Sequence, residues 1–411
     1  MTDRHFHPTD AEQVREVVAW AAAEKQPLEI LGGGSKRKLG RPVQSAQVLD
    51  VSGLAGVENY EPEELVITAK AATPLAEVEA LLAESGQEFA FEPMDYGPLL
   101  GGEPGKATLG GMLAANLSGP KRLKHGAARD HVLGIHAVSG RGEVFKSGGT
   151  VVKNVTGYDL SRGLAGSWGT LAVTTAMSLK VLPAPPTEAT VLIEGLADET
   201  AIDMLCRAMG TSCEAASAAH LPAGLAKGFA DPAISAGGVS GDKPATLVRL
   251  EGFAPSVDYR FDKLAKLARE TGPVQRIDAD ASRALWRAIR DVEPFWGDGT
   301  PVWRVSVAPA CGAQFVAALR RTADFDAYYD WSGGLIWLRF PDGDPQAQAV
   351  RAAVEEAGGG HATLIRADAA TRTGTDVFQP QDPALAALSR RLKAQFDPSG
   401  ILNPGRMVAG V

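Results

Sequence analysis

Hydrophobic and polar positions repeat along the chain with two periods, and the switches between them divide it. Val14, Val17, Val18 and Ala21 recur at helical spacing behind Thr9 and Glu12, a T-x-x-E capping box, which predicts a helix over about 10–24. Residues 28–31 read as a short buried strand that runs into Gly32, Gly33 and Gly34, with further strands at 47–51 and 65–71. Pro74 then opens a helix over 75–84 that Gly86 closes. A second lobe starts in the glycine-rich stretch 101–111, passes through a small-residue helix to Asn116, and adds strands at 132–138 and 143–146 joined by Ser139-Gly140-Arg141-Gly142. It ends on a long strand over 171–182.

The run Pro183-Ala184-Pro185-Pro186 can continue neither a sheet nor a helix, so it marks a domain boundary. Beyond it come a strand at 190–194, a helix at 199–209, strands at 214–219 and 246–251, a helix at 259–270 and a strand at 273–277, the order βαββαβ. After a helix around 283–290 the same order returns: strand 302–307, helix 315–321, strands 327–331 and 335–340, helix 346–357 and strand 362–366. The expected architecture is α+β. A two-lobed domain over 1–182 precedes a cap over 187–380 built of two ferredoxin-like halves in tandem. A segment over 381–411, with a helix around 385–396, returns to the first domain.

Composition narrows the function classes. A chain of 411 residues, 45% hydrophobic and 22% charged, can bury a sizeable core, and its formal charge of -8 argues against nucleic acid as a principal partner. No stretch approaches the ~20 apolar residues of a membrane span, so a cytoplasmic protein without an integral membrane segment is expected. Cys206, Cys213 and Cys311 lack the spacing that holds zinc or an iron–sulfur cluster, and the histidines offer no H-x-x-x-H, so no metal site is expected.

The glycines suggest an anionic ligand. Backbone N–H groups brought close by glycine are well suited to phosphates. Gly32-Gly33-Gly34-Ser35 after a buried strand fits, although Arg37 stands where a Rossmann fingerprint needs its last glycine. Pro104-Gly105, Thr108, Gly110-Gly111 and Asn116 form a second cluster, and Gly157, Gly163, Gly166, Ser167, Gly169 and Thr170 a third; tight turns in a packed lobe account for some of these.

Taken in order, LGGGSK, ATLGGMLAANLSGP, HGAARDHVLGIHAVSGRGEVFKSGG, VVKNVTGYDL and LAGSWGTLAV resemble the FAD-binding domain of vanillyl-alcohol-oxidase and p-cresol-methylhydroxylase (PCMH)-type flavoproteins. With the C-terminal DPSGILNPGRM, the chain resembles the FAD-binding subunits of bacterial glycolate oxidases. The resemblance implies FAD as cofactor. It sets Gly32, Gly33, Gly34, Ser35 and Lys36 on the pyrophosphate, and Pro104, Gly105, Thr108, Gly110, Gly111 and Asn116 beside the diphosphate and isoalloxazine. Ser118, Arg129 and Asp130 would lie along the same cofactor, Gly166, Ser167 and Val173 would close its adenine side, and Asn403 of the tail joins the set. Lys153 and Asn154 are candidate flavin-proximal groups, although Asn154 would equally satisfy a turn. Relatives that attach FAD covalently use a His beside the first loop; Ser35-Lys36-Arg37-Lys38 offers none, so noncovalent FAD is expected.

Oxidation of a 2-hydroxy acid needs a clamp for the carboxylate, usually Arg, and an acceptor for the hydroxyl proton. Arg304 and Arg366 are the candidates for the clamp, because apolar neighbours on their strands would turn them to the opposite face; each would equally suit a surface arginine. Tyr96, Tyr158, Tyr328 and His361 are the possible bases. The basic cluster Lys121, Arg122, Lys124 and His125 could face the flavin, a substrate or a partner, or be a solvated loop. His220 and His361 are the only histidines past the boundary, whereas the resemblance leads one to expect paired histidines holding a metal in catalytic relatives. The expectation is therefore a subunit that takes part in glycolate oxidation beside a homologous catalytic flavoprotein and an iron–sulfur subunit, peripheral to the inner membrane through those partners if attached there at all. Alternatives are a stand-alone FAD oxidoreductase of another hydroxy acid or alcohol, and a structural subunit with an empty site.

Overall fold

The structure is a computed structural model describing residues 4–43, 45–151 and 157–408. Two compact units emerge: Met1–Ser118, Gly126–Ala184 and Pro380–Val411 form the first, and Gly119–His125 with Pro185–Gln379 the second. The seven-residue excursion of Gly119–His125 into the second unit is not signalled by any composition change.

In the first unit, helix α1 (Ala11–Glu24) buries Val14, Val18 and Ala21. Its N-cap is Asp10, whose Oδ1 accepts from Gln13 N at 2.8 Å, while Gln13 reaches back to Thr9 N. The cap is thus one residue later than the T-x-x-E pattern indicates, because aspartate at the helix entry outcompetes threonine for the free N–H groups. Strands β1 (Arg4–Phe6), β2 (Leu28–Leu31) and β3 (Gln47–Asp50) make a parallel sheet in the order β1-β3-β2. Then come β4 (Val57–Glu61), β5 (Val66–Lys70), the two-residue β6 (Gln87–Glu88), β7 (Val132–Ser139), β8 (Val144–Gly148), β9 (Ala172–Lys180) and the two-residue β10 (Leu182–Pro183). Five of them form an antiparallel sheet in the order β4-β5-β9-β7-β8, and β6 pairs with β10. Helices α2 (Leu75–Glu84) and α3 (Leu109–Ala115) pack their apolar residues on it. Each buried Val or Leu here contributes about 1.5–3 kcal/mol over its exposed state.

The C-terminal segment is woven into this unit. Leu28 N donates to Ile401 O at 2.7 Å, and Asn403 N to Leu28 O at 3.0 Å. Lys393, buried in the helix Pro383–Phe396, donates to Thr170 O, Leu402 O and the Asp397 carboxylate at 2.7–3.0 Å.

The second unit carries strands β11 (Thr187–Glu194), β12 (Ser217–Leu221), β13 (Ala245–Gly252), β14 (Val274–Ile277), β15 (Val302–Ser306), β16 (Asp326–Asp330), β17 (Leu335–Arg339) and β18 (His361–Arg366). They form one antiparallel sheet in the order β14-β11-β13-β12-β16-β17-β15-β18. Each half has its first and third strands at the centre, the ferredoxin-like arrangement that the repeated βαββαβ order predicts. The halves join where His220 pairs with Tyr329, and the buried Tyr329 hydroxyl donates to Asp198 Oδ2 at 2.6 Å. Alternation along β11 and β15 turns Ala189, Val191, Ile193, Trp303 and Val305 into the main core and their neighbours to the opposite face.

Candidate functional site

Where β2 ends, the turn 32–36 opens on a cavity. Its walls are this turn, the start of α3, the turn at Ser167–Gly169, Val173 on β9, and Asn403 with Arg406 from the chain's other end. Local chemistry fixes each wall. A Cβ on Gly33 would sit 2.0 Å from Lys106 O, so only glycine lets these two loops touch. Thr108 caps α3 by accepting from Gly111 N at 3.2 Å. Asn403 bridges two walls, Oδ1 accepting from Ile30 N and Nδ2 donating to Trp168 O, both at 2.9 Å; Gly169 opposite has φ +69° and no room for a side chain against that amide.

The cavity's electrostatics are one-sided. Lys36 and Arg406 are both buried, and among the described residues no Asp or Glu lines the walls. Arg406 Nη2 donates to Lys36 O at 2.8 Å and its guanidinium lies 5.8 Å from the Trp168 ring centre. Lys36 Nζ meets Ser35 Oγ at 3.0 Å. Burial lowers the Lys36 ammonium to about 8, nearby Arg406 acting the same way and Asp95 against it. Two buried cations among glycine amides suit a ligand with a compact double negative charge, so a dinucleotide diphosphate fits.

Of the expected cofactor residues, Gly32, Gly33, Gly34, Ser35, Lys36, Thr108, Gly110, Gly111, Ser167, Val173 and Asn403 line this one cavity. Others lie outside its walls. Asn116 Oδ1 accepts from Arg129 N, Ser118 Oγ from Ala128 N and Asp130 Oδ2 from Ala127 N, so these side chains hold the turn after α3, and the Arg129 side chain is exposed. Pro104 and Gly105 are exposed, Gly105 N donating to Asp95 at 2.7 Å, and Gly166 N donates to Leu113 O. Lys153 and Asn154 lie outside the described residues. The reading of the chain overlooked Arg406 and Trp168. The charge in Asn403-Pro404-Gly405-Arg406, next to an assigned Asn403, was the available signal.

In the second unit Arg366, a candidate clamp, has donors engaged within the fold. Its donors go to Thr300 O and Phe295 O at 2.6 Å each and to Asp298 Oδ1 at 2.7 Å, tying down the loop at 295–300. Arg304 is half-buried, with its guanidinium 4.9 Å from the Trp331 ring centre. Tyr328 OH is buried and donates to Ile289 O, Tyr96 is fully buried, and Tyr158 is exposed. The basic cluster is not a solvated loop throughout: Lys121 is buried against Glu251 at 2.9 Å. Burial works to raise the Glu251 carboxyl, and Arg249 and Lys121 overcome it to hold it below the usual range.

The FAD binding domain family matches residues 3–148, and the family of FAD linked oxidases, C-terminal domain, matches 378–407. Glycolate oxidase subunit GlcE of Escherichia coli K12 is 34% identical over 395 residues, 96% of each chain. The chain belongs to the GlcE family of FAD-linked oxidoreductases. FAD is its cofactor; the turn 32–36, the start of α3, Asn403 and Arg406 fall in the segments that these matches cover, and the wall from Leu164 to Thr174 lies between them. A D-lactate dehydrogenase of Archaeoglobus fulgidus is 31% identical over 43% of this chain and 38% of its own. Substrate-bound p-cresol methylhydroxylase shares the fold, with a TM-score of 0.74 over 99% of this chain and 88% of that one at 15% identity.

Proposed function

We propose that this chain is the FAD-carrying subunit of a glycolate oxidase, taking part in the oxidation of glycolate to glyoxylate. The observation that carries this is the cavity itself, where glycine amides and two buried cations meet in a member of the GlcE family. Bound FAD supplies a two-electron acceptor. Lys36 and Arg406 would hold its diphosphate together with the amides of the turn 32–35, and Asn403 ties β2 to the Trp168 turn across the cavity. Among the described residues no His, Cys or Tyr lines the cavity, which favours noncovalent attachment.

Electrons then leave for an iron–sulfur subunit, in a complex with a homologous flavoprotein. A glycolate oxidase subunit named GlcD, in Bacillus subtilis, is 27% identical over 47% of this chain. Among the described residues no helix is long and apolar enough to cross a membrane, and the cytoplasm is the compartment this reading favours. The test is the absorbance spectrum of the purified chain before and after anaerobic glycolate, followed by acid precipitation. Flavin bands that move to the supernatant support noncovalent FAD. Bleaching by glycolate makes the isolated chain competent on its own, and yellow protein that glycolate cannot bleach assigns turnover to the companion subunit. Colourless protein that FAD cannot reconstitute would sink the reading.

A further inference from the structure

The helix Pro383–Phe396 of the first unit turns its large hydrophobic residues outward. Leu385, Leu388 and Leu392 are 46%, 53% and 42% exposed, and their spacing of three and four sets them in one row along the helix. The residues turned towards the unit are small or charged: Ala386, Ala387 and Ser389 are half-buried, and Lys393 is the helix's one buried residue.

Fraying does not account for this, because the helix is anchored. Lys393 donates to Thr170 O, Leu402 O and Asp397, Arg141 Nε donates to Gln395 O at 2.9 Å, and the Phe396 ring centre lies 6.0 Å from that of Phe145. Rotating the helix about its axis to bury the leucines would break these contacts. A single exposed leucine is ordinary, whereas a row of three on a fixed helix is the pattern of a surface that a partner covers.

Charge beside the row states what kind of partner fits. Residues 383–396 include no Asp or Glu, and Arg390 and Arg391 are both exposed, without a hydrogen bond or ion pair among the described residues. The nearest acid, Asp382, is engaged as the N-cap and accepts from Ala384 N and Leu385 N. In a chain of formal charge -8 this face is locally positive. A second copy laid on it would bring two more arginines and no free carboxylate, since a two-fold contact apposes identical patches. The complement is a different surface, an apolar groove with Asp or Glu on its rim.

We propose that the row of Leu385, Leu388 and Leu392, flanked by Arg390 and Arg391, docks the assembly of companion subunits of the oxidase through an apolar groove rimmed by carboxylates. The identity of that companion rests on the glycolate reading above; the docking face rests on the exposed leucines and arginines.

The probe is the companion flavoprotein and iron–sulfur subunits purified together without this chain, titrated calorimetrically with the full FAD-loaded chain. Wild type should bind. Leu388→Glu, which keeps a good helix former and sets a carboxylate against the rim, should weaken binding roughly 30-fold or more, and Arg391→Glu roughly 10-fold. Flavin content and urea midpoint should stay nearly unchanged in both variants, because both side chains are exposed. No binding by wild type, or unaltered affinity in Leu388→Glu, overturns the face, and unaltered affinity in Arg391→Glu contradicts the carboxylate rim. A urea midpoint lowered by Leu388→Glu as far as by loss of a buried leucine overturns it too, by placing the row within this chain's own packing. Wild-type chain that dimerises alone in sedimentation, when Leu388→Glu does not, would assign the face to a second copy and refute the companion. Binding that Leu388→Glu abolishes, in a complex whose flavins glycolate never bleaches, keeps the face and refutes the glycolate reading; bleaching in a complex indifferent to Leu388→Glu does the reverse.

Discussion

The two halves of the second unit share one strand order and treat charge in opposite ways. In the first half, Glu188 grips Arg249 at 2.6 Å, Arg249 reaches Glu251 at 3.2 Å, and Glu251 holds Lys121 at 2.9 Å. Ser282 Oγ also donates to Glu188, Trp286 Nε1 donates to Thr190, and every member of this network is buried. In the second half, Arg366 and Arg339 are tied to Asp298 and Asp326, yet Arg304 makes no side-chain hydrogen bond or ion pair among the described residues and stacks on the Trp331 ring. Thr190 on β11 and Arg304 on β15 occupy outward positions of topologically equivalent strands. Charge neutralised within the sheet holds the unit together, whereas Arg304 on its ring contributes little to it.

The sharpest way to break this comparison is to remove one member of the closed network. Lys121→Met leaves the buried Glu188 and Glu251 carboxylates to share one cation, Arg249, and should cost about 3–5 kcal/mol, read as a fall in the urea midpoint. A change below about 1 kcal/mol would mean the pair is structurally idle. Next in size is Gly33→Ala, whose methyl meets Lys106 O; an overpacking cost of about 1–3 kcal/mol should weaken FAD roughly 10- to 100-fold in fluorescence titration.

The third effect depends on pH. Burial brings the Lys36 ammonium down to about 8 in the folded protein from its ordinary 10.5, so its positive charge is present below pH 8 and lost above it. FAD affinity should hold below pH 8 and weaken by up to about tenfold per pH unit above, until the higher value in the complex is reached. In the flavin-free protein the sign reverses, since the unfolded chain binds the extra proton, and Lys36 favours folding more as pH rises from 8 towards 10.5. Lys36→Arg should remove both dependences. The smallest effect belongs to the open half: Arg304→Met should change stability by less than about 1 kcal/mol, the scale of an exposed cation–π contact. A loss as large as that of Lys121→Met would make Arg304 structural and erase the distinction.

Much of the fold was legible because its punctuation is local. Pro74 and Gly86 bracket α2 at the residues where it starts and ends, and the repeated βαββαβ order was visible in the alternation of β11 and β15. Strand β4 escaped because its sequence VENYE is largely exposed at a sheet edge and a register shift interrupts its pairing. Residues read from glycine loops converged because those loops surround one cavity. Pairings across long sequence distances were not legible. Nothing near Arg366 says that the loop at 295–300 folds onto its donors, nothing near Lys121 names Glu251, and Arg406 joins Lys36 from the opposite end of the chain.

The account turns on Lys36 and Arg406 holding the cofactor's diphosphate, and ADP, which carries that diphosphate without the flavin, tests it most directly. Titrated into flavin-stripped protein, ADP should bind wild type and compete with FAD, and Lys36→Met should weaken ADP and FAD by the same factor, roughly 10- to 100-fold. ADP affinity untouched by Lys36→Met, with FAD also bound as before, would contradict the account and place the diphosphate elsewhere.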